Sequence, residues 1–177
     1  GQQRVAVDKA GTVYAIWNDD RDSQIYLVVS RDKARTWSAP LKVMPPGTTF
    51  NNGHANIIAG EPGHILISSE NTTAPENPRR SIVSGFGIWH AYLTESFDGD
   101  TSSPNFHSVD LDPPDDPTLD LGESPSEAEA YLGISPDGEA WAVFSRHGRR
   151  LGVGSRVAAA HINSLTEQTG TENDKSK

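Results

Sequence analysis

Apolar residues arrive along this chain in short runs broken by glycine turns, and three segments repeat one pattern. "RVAVDKAGTVYAIW" turns at Gly11, "ANIIAGEPGHILIS" at Gly63 and "YLGISPDGEAWAVF" at Gly138. Each is an apolar run, a short turn ending in glycine, and a second apolar or alternating run. Asp-Gly and Pro-Gly pairs suit tight hairpins, because glycine takes positive φ without a Cβ clash. Aligned on the glycine, Tyr14-Ala15-Ile16-Trp17 falls on Trp141-Ala142-Val143-Phe144. The pattern predicts an internal repeat of antiparallel hairpins.

Further strand-like material follows each hairpin. In the first unit, residues 18–23 read as a polar loop, 24–30 as a third strand and 37–43 as a fourth. In the second, 88–96 and 106–111 supply the third and fourth strands. In the third, 151–160 supply one strand, and 161–165 is a weak candidate for another. Four antiparallel strands per unit is the blade of a β-propeller. The turn glycines lie farther apart than the roughly 40–45 residues of a compact blade, so long loops are expected. Residues 70–81 ("ENTTAPENPRRS") and the acidic, proline-rich 110–130 read as those loops. The organisation expected is a blade at 1–45, a second with long loops at 46–113, an acidic linker and degenerate blade at 114–163, and a disordered tail at 164–177.

Composition narrows the function classes. The 177 residues carry 34% hydrophobic residues, 16 Gly and 12 Pro, as turn-rich all-β chains do. A formal net charge of −9 speaks against nucleic-acid partners, which need clustered Lys and Arg. With no cysteine, disulfides and thiolate metal sites are excluded. No apolar run reaches the roughly 20 residues of a membrane span. The acidic segment lacks the spacing of a calcium loop. The six histidines (His54, His64, His90, His107, His147 and His161) lack zinc-site spacing and read as surface or packing residues. No metal or cofactor is expected. Asn71-Thr72-Thr73 fits the N-glycosylation sequon and is the one hint of an extracellular or cell-surface location.

The octet Ser30-Arg31-Asp32-Lys33-Ala34-Arg35-Thr36-Trp37 resembles the Asp-box, S-x-D-x-G-x-T-W, of sialidase-like (BNR-repeat) β-propellers. Ser30, Asp32, Thr36 and Trp37 match, and Ala34 stands where glycine is usual. Ser96-Phe97-Asp98 opens a degenerate second copy. The resemblance covers roughly Arg4 to Val157 and implies an all-β fold, a partial propeller of about three four-stranded blades. It also implies that the box is a structural element. Asp32 is expected to accept backbone N–H bonds, Trp37 to pack between sheets, and Ala34 either to avoid positive φ or to cost roughly 1 kcal/mol.

In a four-stranded meander the turns after strands 1 and 3 share one end, with Gly11, Gly63, Gly138 and the Asp-box. At the opposite end lie the 2–3 loops, which carry Arg21, then Arg79 and Arg80, then Arg146, Arg149 and Arg150. Arginine offers a planar fork of donors that suits a carboxylate. Sialidases, as the resemblance implies, hold their substrate with an arginine cluster and act through an acid/base group and a tyrosine nucleophile. Asp19, Asp20 and Tyr131 are the candidates for those roles; local arginine–acid pairing is the plainer alternative.

Three blades are half the six with which sialidase-like propellers close, so the sequence predicts a longer chain or a homo-oligomer. The leading expectation is a non-catalytic module binding glycan or protein ligands on its loop end. The alternatives are an exo-sialidase-type glycoside hydrolase acting within a complete propeller, and a structural repeat of a larger surface protein.

Overall fold

A computed structural model describes residues 2–74, 89–111, 131–146 and 156–162, with backbone alone at 52–53, 144–146 and 156–162. The described chain is all-β, with no helix, and forms three antiparallel sheets. The first is a meander of β1 (Gln3–Val7), β2 (Val13–Asp19), β3 (Gln24–Ser30) and β4 (Leu41–Lys42). The second repeats that order with β5 (Phe50–Ala59), β6 (Ile65–Thr72), β7 (His90–Ser96) and β8 (His107–Asp110). The third contains β9 (Tyr131–Ile134), β10 (Ala140–Arg146) and β11 (Arg156–Ile162), with β10 central. Among the described residues no sheet closes on itself, and no helix is long and apolar enough to cross a membrane.

The three glycine hairpins share one bonding scheme. Asp8 N–H donates to Thr12 C=O at 3.1 Å, Gly60 N–H to His64 C=O at 2.9 Å and Ser135 N–H to Glu139 C=O at 3.0 Å. Gly11, Gly63 and Gly138 all have positive φ. Around Gly11 and Gly138 a Cβ would meet nothing within 4 Å, so glycine is favoured there by backbone conformation alone. At Gly63 a Cβ would also lie 2.6 Å from Asp100 Oδ1 and 2.8 Å from the Phe97 carbonyl oxygen, so the turn is closed to side chains altogether.

Strand alternation sorts side chains onto two faces of each sheet. Tyr14, Ile16, Ile25, Leu27 and Val29 of the first sheet pack against Ala55, Ile57, Ile65 and Ile67 of the second. The other face of the second sheet presents Leu66 and Leu93 to Ala140 and Ala142 of the third. The first strands follow one another, β1 against β5 and β5 against β9.

Three sequence readings need correction. The fourth strand of the first unit, expected over 37–43, is only Leu41–Lys42; Pro40 has no N–H to give the ladder. Trp37 does not pack between sheets: it is 43% exposed. The loop expected over 70–81 begins later, because Glu70, Asn71 and Thr72 continue β6 with their side chains buried. In the third unit, β11 covers Arg156–Ile162, so His161 and Ile162 belong to that strand, and residues 151–155 lie outside the described residues. Of the acidic segment expected over 110–130, residues 112–130 lie outside the described residues, as does the tail expected over 164–177.

Candidate functional site

The two ends of the strands are built differently. At the turn end, aspartates organise the loops. Asp32 Oδ1 accepts from Ser30 Oγ (2.9 Å) and from the backbone N–H of Arg35 (3.0 Å) and Thr36 (2.8 Å). Its Oδ2 accepts from Thr36 Oγ1 at 2.6 Å. The hydroxyl and backbone donors from Thr36 lead in holding this carboxyl down at about 2, below its usual 3.8. Lys33 and Ala34 carry φ of 62° and 63°. Ala34 thus adopts the left-handed conformation that glycine occupies at lower cost.

The loop from Ser96 to Asn105 uses the same device with other residues. Asp98 Oδ1 accepts from Ser96 Oγ at 2.9 Å and Asn105 N–H at 2.8 Å, and Oδ2 accepts from the Asn105 amide at 2.7 Å. Asn105 therefore does what Thr36 does, across a longer loop, and its backbone donor leads in lowering the Asp98 carboxyl. Ser135 Oγ likewise donates to Asp137 in the third unit.

Asp8, which the sequence reading passed over, ties two sheets together. Its Oδ1 accepts from Ala10 N–H and Thr12 N–H, both at 2.9 Å. Its Oδ2 accepts from Tyr14 Oη at 2.9 Å and, across the junction, from Gly63 N–H at 3.1 Å. Burial pushes this carboxyl upward, but the hydrogen bonds from Gly63, Thr12, Tyr14 and Ala10 together outweigh it and hold it low. Burial and then the Asp8 bond raise the Tyr14 phenol far above its usual range. Arg31 adds a second clasp, donating from Nη2 to the Thr101 carbonyl at 2.8 Å and from Nε to that of Asp100.

The opposite end is a seam of amides and hydroxyls. Asn18 Nδ2 donates to Asn51 Oδ1 at 3.0 Å, and Asn51 Nδ2 to the Glu70 carbonyl at 2.9 Å and Asn71 Oδ1 at 3.1 Å. Asn71 Nδ2 donates to Ser69 Oγ at 2.8 Å. Gln24 Nε2 reaches the Asp22 and Thr49 carbonyls, and Asn51 N–H donates to the Ser23 carbonyl at 2.8 Å. Asn18, Gln24, Asn51, Glu70 and Asn71 are all buried, while Asn18 Oδ1 and Gln24 Oε1 accept no hydrogen bond. The sequence held a signal for this seam. Asn18 occupies the next inward position after Tyr14 and Ile16, so a polar residue stands where the alternation calls for an apolar one.

Outside the seam lies the β2–β3 loop with the first sequence candidates. Arg21 grips Asp19 through Nε to Oδ1 at 2.9 Å and Nη2 to Oδ2 at 2.5 Å. This side-chain bond leads in driving the Asp19 carboxyl well below the usual carboxylate range. The guanidinium is thus committed to a neighbour two residues away. Asp20 is exposed at the same turn. Next to it, Tyr26 Oη donates to Asp22 Oδ2 at 2.8 Å, which raises the Tyr26 phenol, and the Tyr26 ring stacks on Trp17 at 5.6 Å. Sequence reasoning missed this tyrosine–aspartate pair, although Asp22 and Tyr26 sit four residues apart across the turn.

Tyr131 stands at the start of β9, 66% exposed and opposite Val143. Arg146 ends β10, opposite Arg156. Arg79, Arg80, Arg149 and Arg150 lie outside the described residues. The histidines divide. His64 is buried, with Nε2 2.8 Å from Glu95 Oε1 and its ring stacked on Phe97; His90 Nδ1 lies 2.8 Å from Asp110 Oδ2. Among the described residues no group of three or more His, Asp or Glu is arranged to hold a metal ion. The sequon residue Asn71 is fully buried. No protein-family model matches the chain, and no curated protein matches it as a relative.

Proposed function

We propose that the chain is a sialidase-like β-propeller module whose β2–β3 loop end binds a glycan without hydrolysing it. The repeated aspartate cage supports the propeller reading: Asp32 and Asp98 fold two loops by the same bonds in successive meanders, with different residues completing them. The observation that carries the binding reading is the β2–β3 turn itself. Asp20, Arg21 and Asp22 are exposed there, and Asp19 and Asp22, which accept from the turn's own N–H groups, hold the Arg21 guanidinium and the Tyr26 hydroxyl in place beside the buried amides. Sugar hydroxyls are donors and acceptors together, and a surface of paired charges answers both.

The test is a glycan array probed with the full chain, alongside incubation with a fluorogenic sialoside. Retention on the array without turnover, weakened by Arg21→Ala, is the expected result. Turnover overturns it in favour of the exo-sialidase reading, and absence of both binding and turnover favours the structural-repeat reading. The Tyr26–Asp22 pair is the one observation favouring the enzyme, since a phenol hydrogen-bonded to a carboxylate is a nucleophile beside its base. In that case Tyr26→Phe abolishes turnover and leaves binding in place.

A further inference from the structure

The two junctions between sheets use their faces in a fixed sense. The residue three positions after the turn glycine, Tyr14 in the first sheet and Leu66 in the second, points forward toward the next sheet. Residues two and four positions after it, Ile65 and Ile67 in the second sheet and Ala140 and Ala142 in the third, point back toward the previous one. Forward face on backward face therefore occurs twice in one chain, and each time the apolar residues are buried.

The same positions at the two ends of the array are apolar and open. On the backward face of the first sheet, Val5 is 63% and Val7 54% exposed. By register, Val5 (opposite Ala15) is the counterpart of Ile57 (opposite Ile67), which is 6% exposed. On the forward face of the third sheet, Trp141 and Val143 are 42% and 39% exposed, where their counterparts Tyr14 and Ile16 are buried. Solvent-facing strand positions of this kind normally carry polar residues. Here both ends carry the residue types that the chain buries at its internal junctions.

We propose that the occupant of each open face is a second copy of this chain, docked head to tail, with the forward face of one third sheet on the backward face of the other's first sheet. The junction continues the pairing already made twice within the chain. Among the described residues each copy offers one open forward and one open backward face, so two copies satisfy both. The contact is heterologous, and it stops growing only because two copies close on each other. This closure rests on the propeller reading, because only a curved array brings the second contact together.

Light scattering on the full chain at high micromolar concentration tests it. The expected mass is twice the 19.1 kDa of one chain. Val7→Glu and Val143→Glu, both at exposed positions, each give monomers that keep the wild-type circular dichroism. Mixing the two variants restores a two-chain species, because one copy still has its backward face and the other its forward face. A strictly monomeric wild type overturns the proposal. So does a dimer indifferent to both substitutions, or one variant that dimerises alone, which marks a symmetric contact. Masses that climb beyond two copies overturn the closure and, with it, the curved array. Loss of glycan binding leaves the mass untouched, so failure of the binding reading is visible separately.

Discussion

The turn end and the loop end both tie up polar groups, but they do it with different chemistry. At the turn end, charged acceptors meet fixed backbone donors: Asp8, Asp32 and Asp98 each collect three or more hydrogen bonds, mostly from N–H groups a few residues away. At the loop end, neutral amides bond to one another across strands, from Asn18 through Asn51 to Asn71. Carboxylate cages are local and strong, because a charged acceptor roughly doubles a hydrogen bond. The amide seam is long-range and weaker, and two of its buried acceptors stay unmatched. Both ends thus hold turns with local carboxylates, Asp19 and Asp22 among them, and the loop end adds the long-range amide seam.

Substitutions can break this contrast at either end. The largest loss is expected for Asp8→Ala, which strands buried donors on both sides of a sheet junction; about 3 kcal/mol is reasonable for a charge-assisted cluster. Asn51→Ala is expected to cost about 2 kcal/mol, leaving Asn18 Nδ2 without its acceptor. Urea unfolding at unchanged m-value measures both. A larger loss for Asn51→Ala reverses the ranking of the two ends.

Acid loads the lowered carboxylates of both ends, Asp19 as well as the cages, and a single substitution isolates the Asp32 share. Asp32 titrates at about 2 when folded and near 3.8 otherwise, so the unfolded chain binds more protons between those values. Its contribution is therefore present above pH 3.8 and is lost as pH falls toward 2. The thermal midpoint of the wild type is expected to drop over that window. Asp32→Asn, which no longer titrates, drops less steeply, and equal slopes refute the cage as the acid-sensitive element. The smallest effect is expected for Ala34→Gly, which relieves a left-handed alanine but loosens the unfolded chain. The net is a gain of about 0.5 kcal/mol, read from the same urea curves.

What the sequence revealed followed from patterns that local chemistry enforces. The glycine hairpins were legible because positive φ leaves few residue choices, and the Asp32 cage because its donors lie within six residues. The Asn105 counterpart was hidden by a longer loop, since only the hydrogen-bond geometry shows that an amide replaces Thr36. Glu70 to Thr72 read as a loop because polarity was taken for exposure; their partners, Asn51 and His90, lie some twenty residues away in sequence. Asp8 gave no signal in the sequence, because its fourth donor, Gly63, belongs to another sheet. Of the candidate site, the Asp19–Arg21 turn was legible and the Tyr26–Asp22 pair was not. A tyrosine within an apolar strand looks like core until its hydroxyl partner is seen.

The burial of Asn71 has a consequence for biosynthesis. The sequon that hinted at secretion places its acceptor nitrogen inside the amide seam, donating to Ser69 Oγ. A sugar attached there during translocation has no room in the native sheet. In a host that glycosylates nascent chains, the modification competes directly with folding. Every chain that reaches the native state is therefore one the transferase missed.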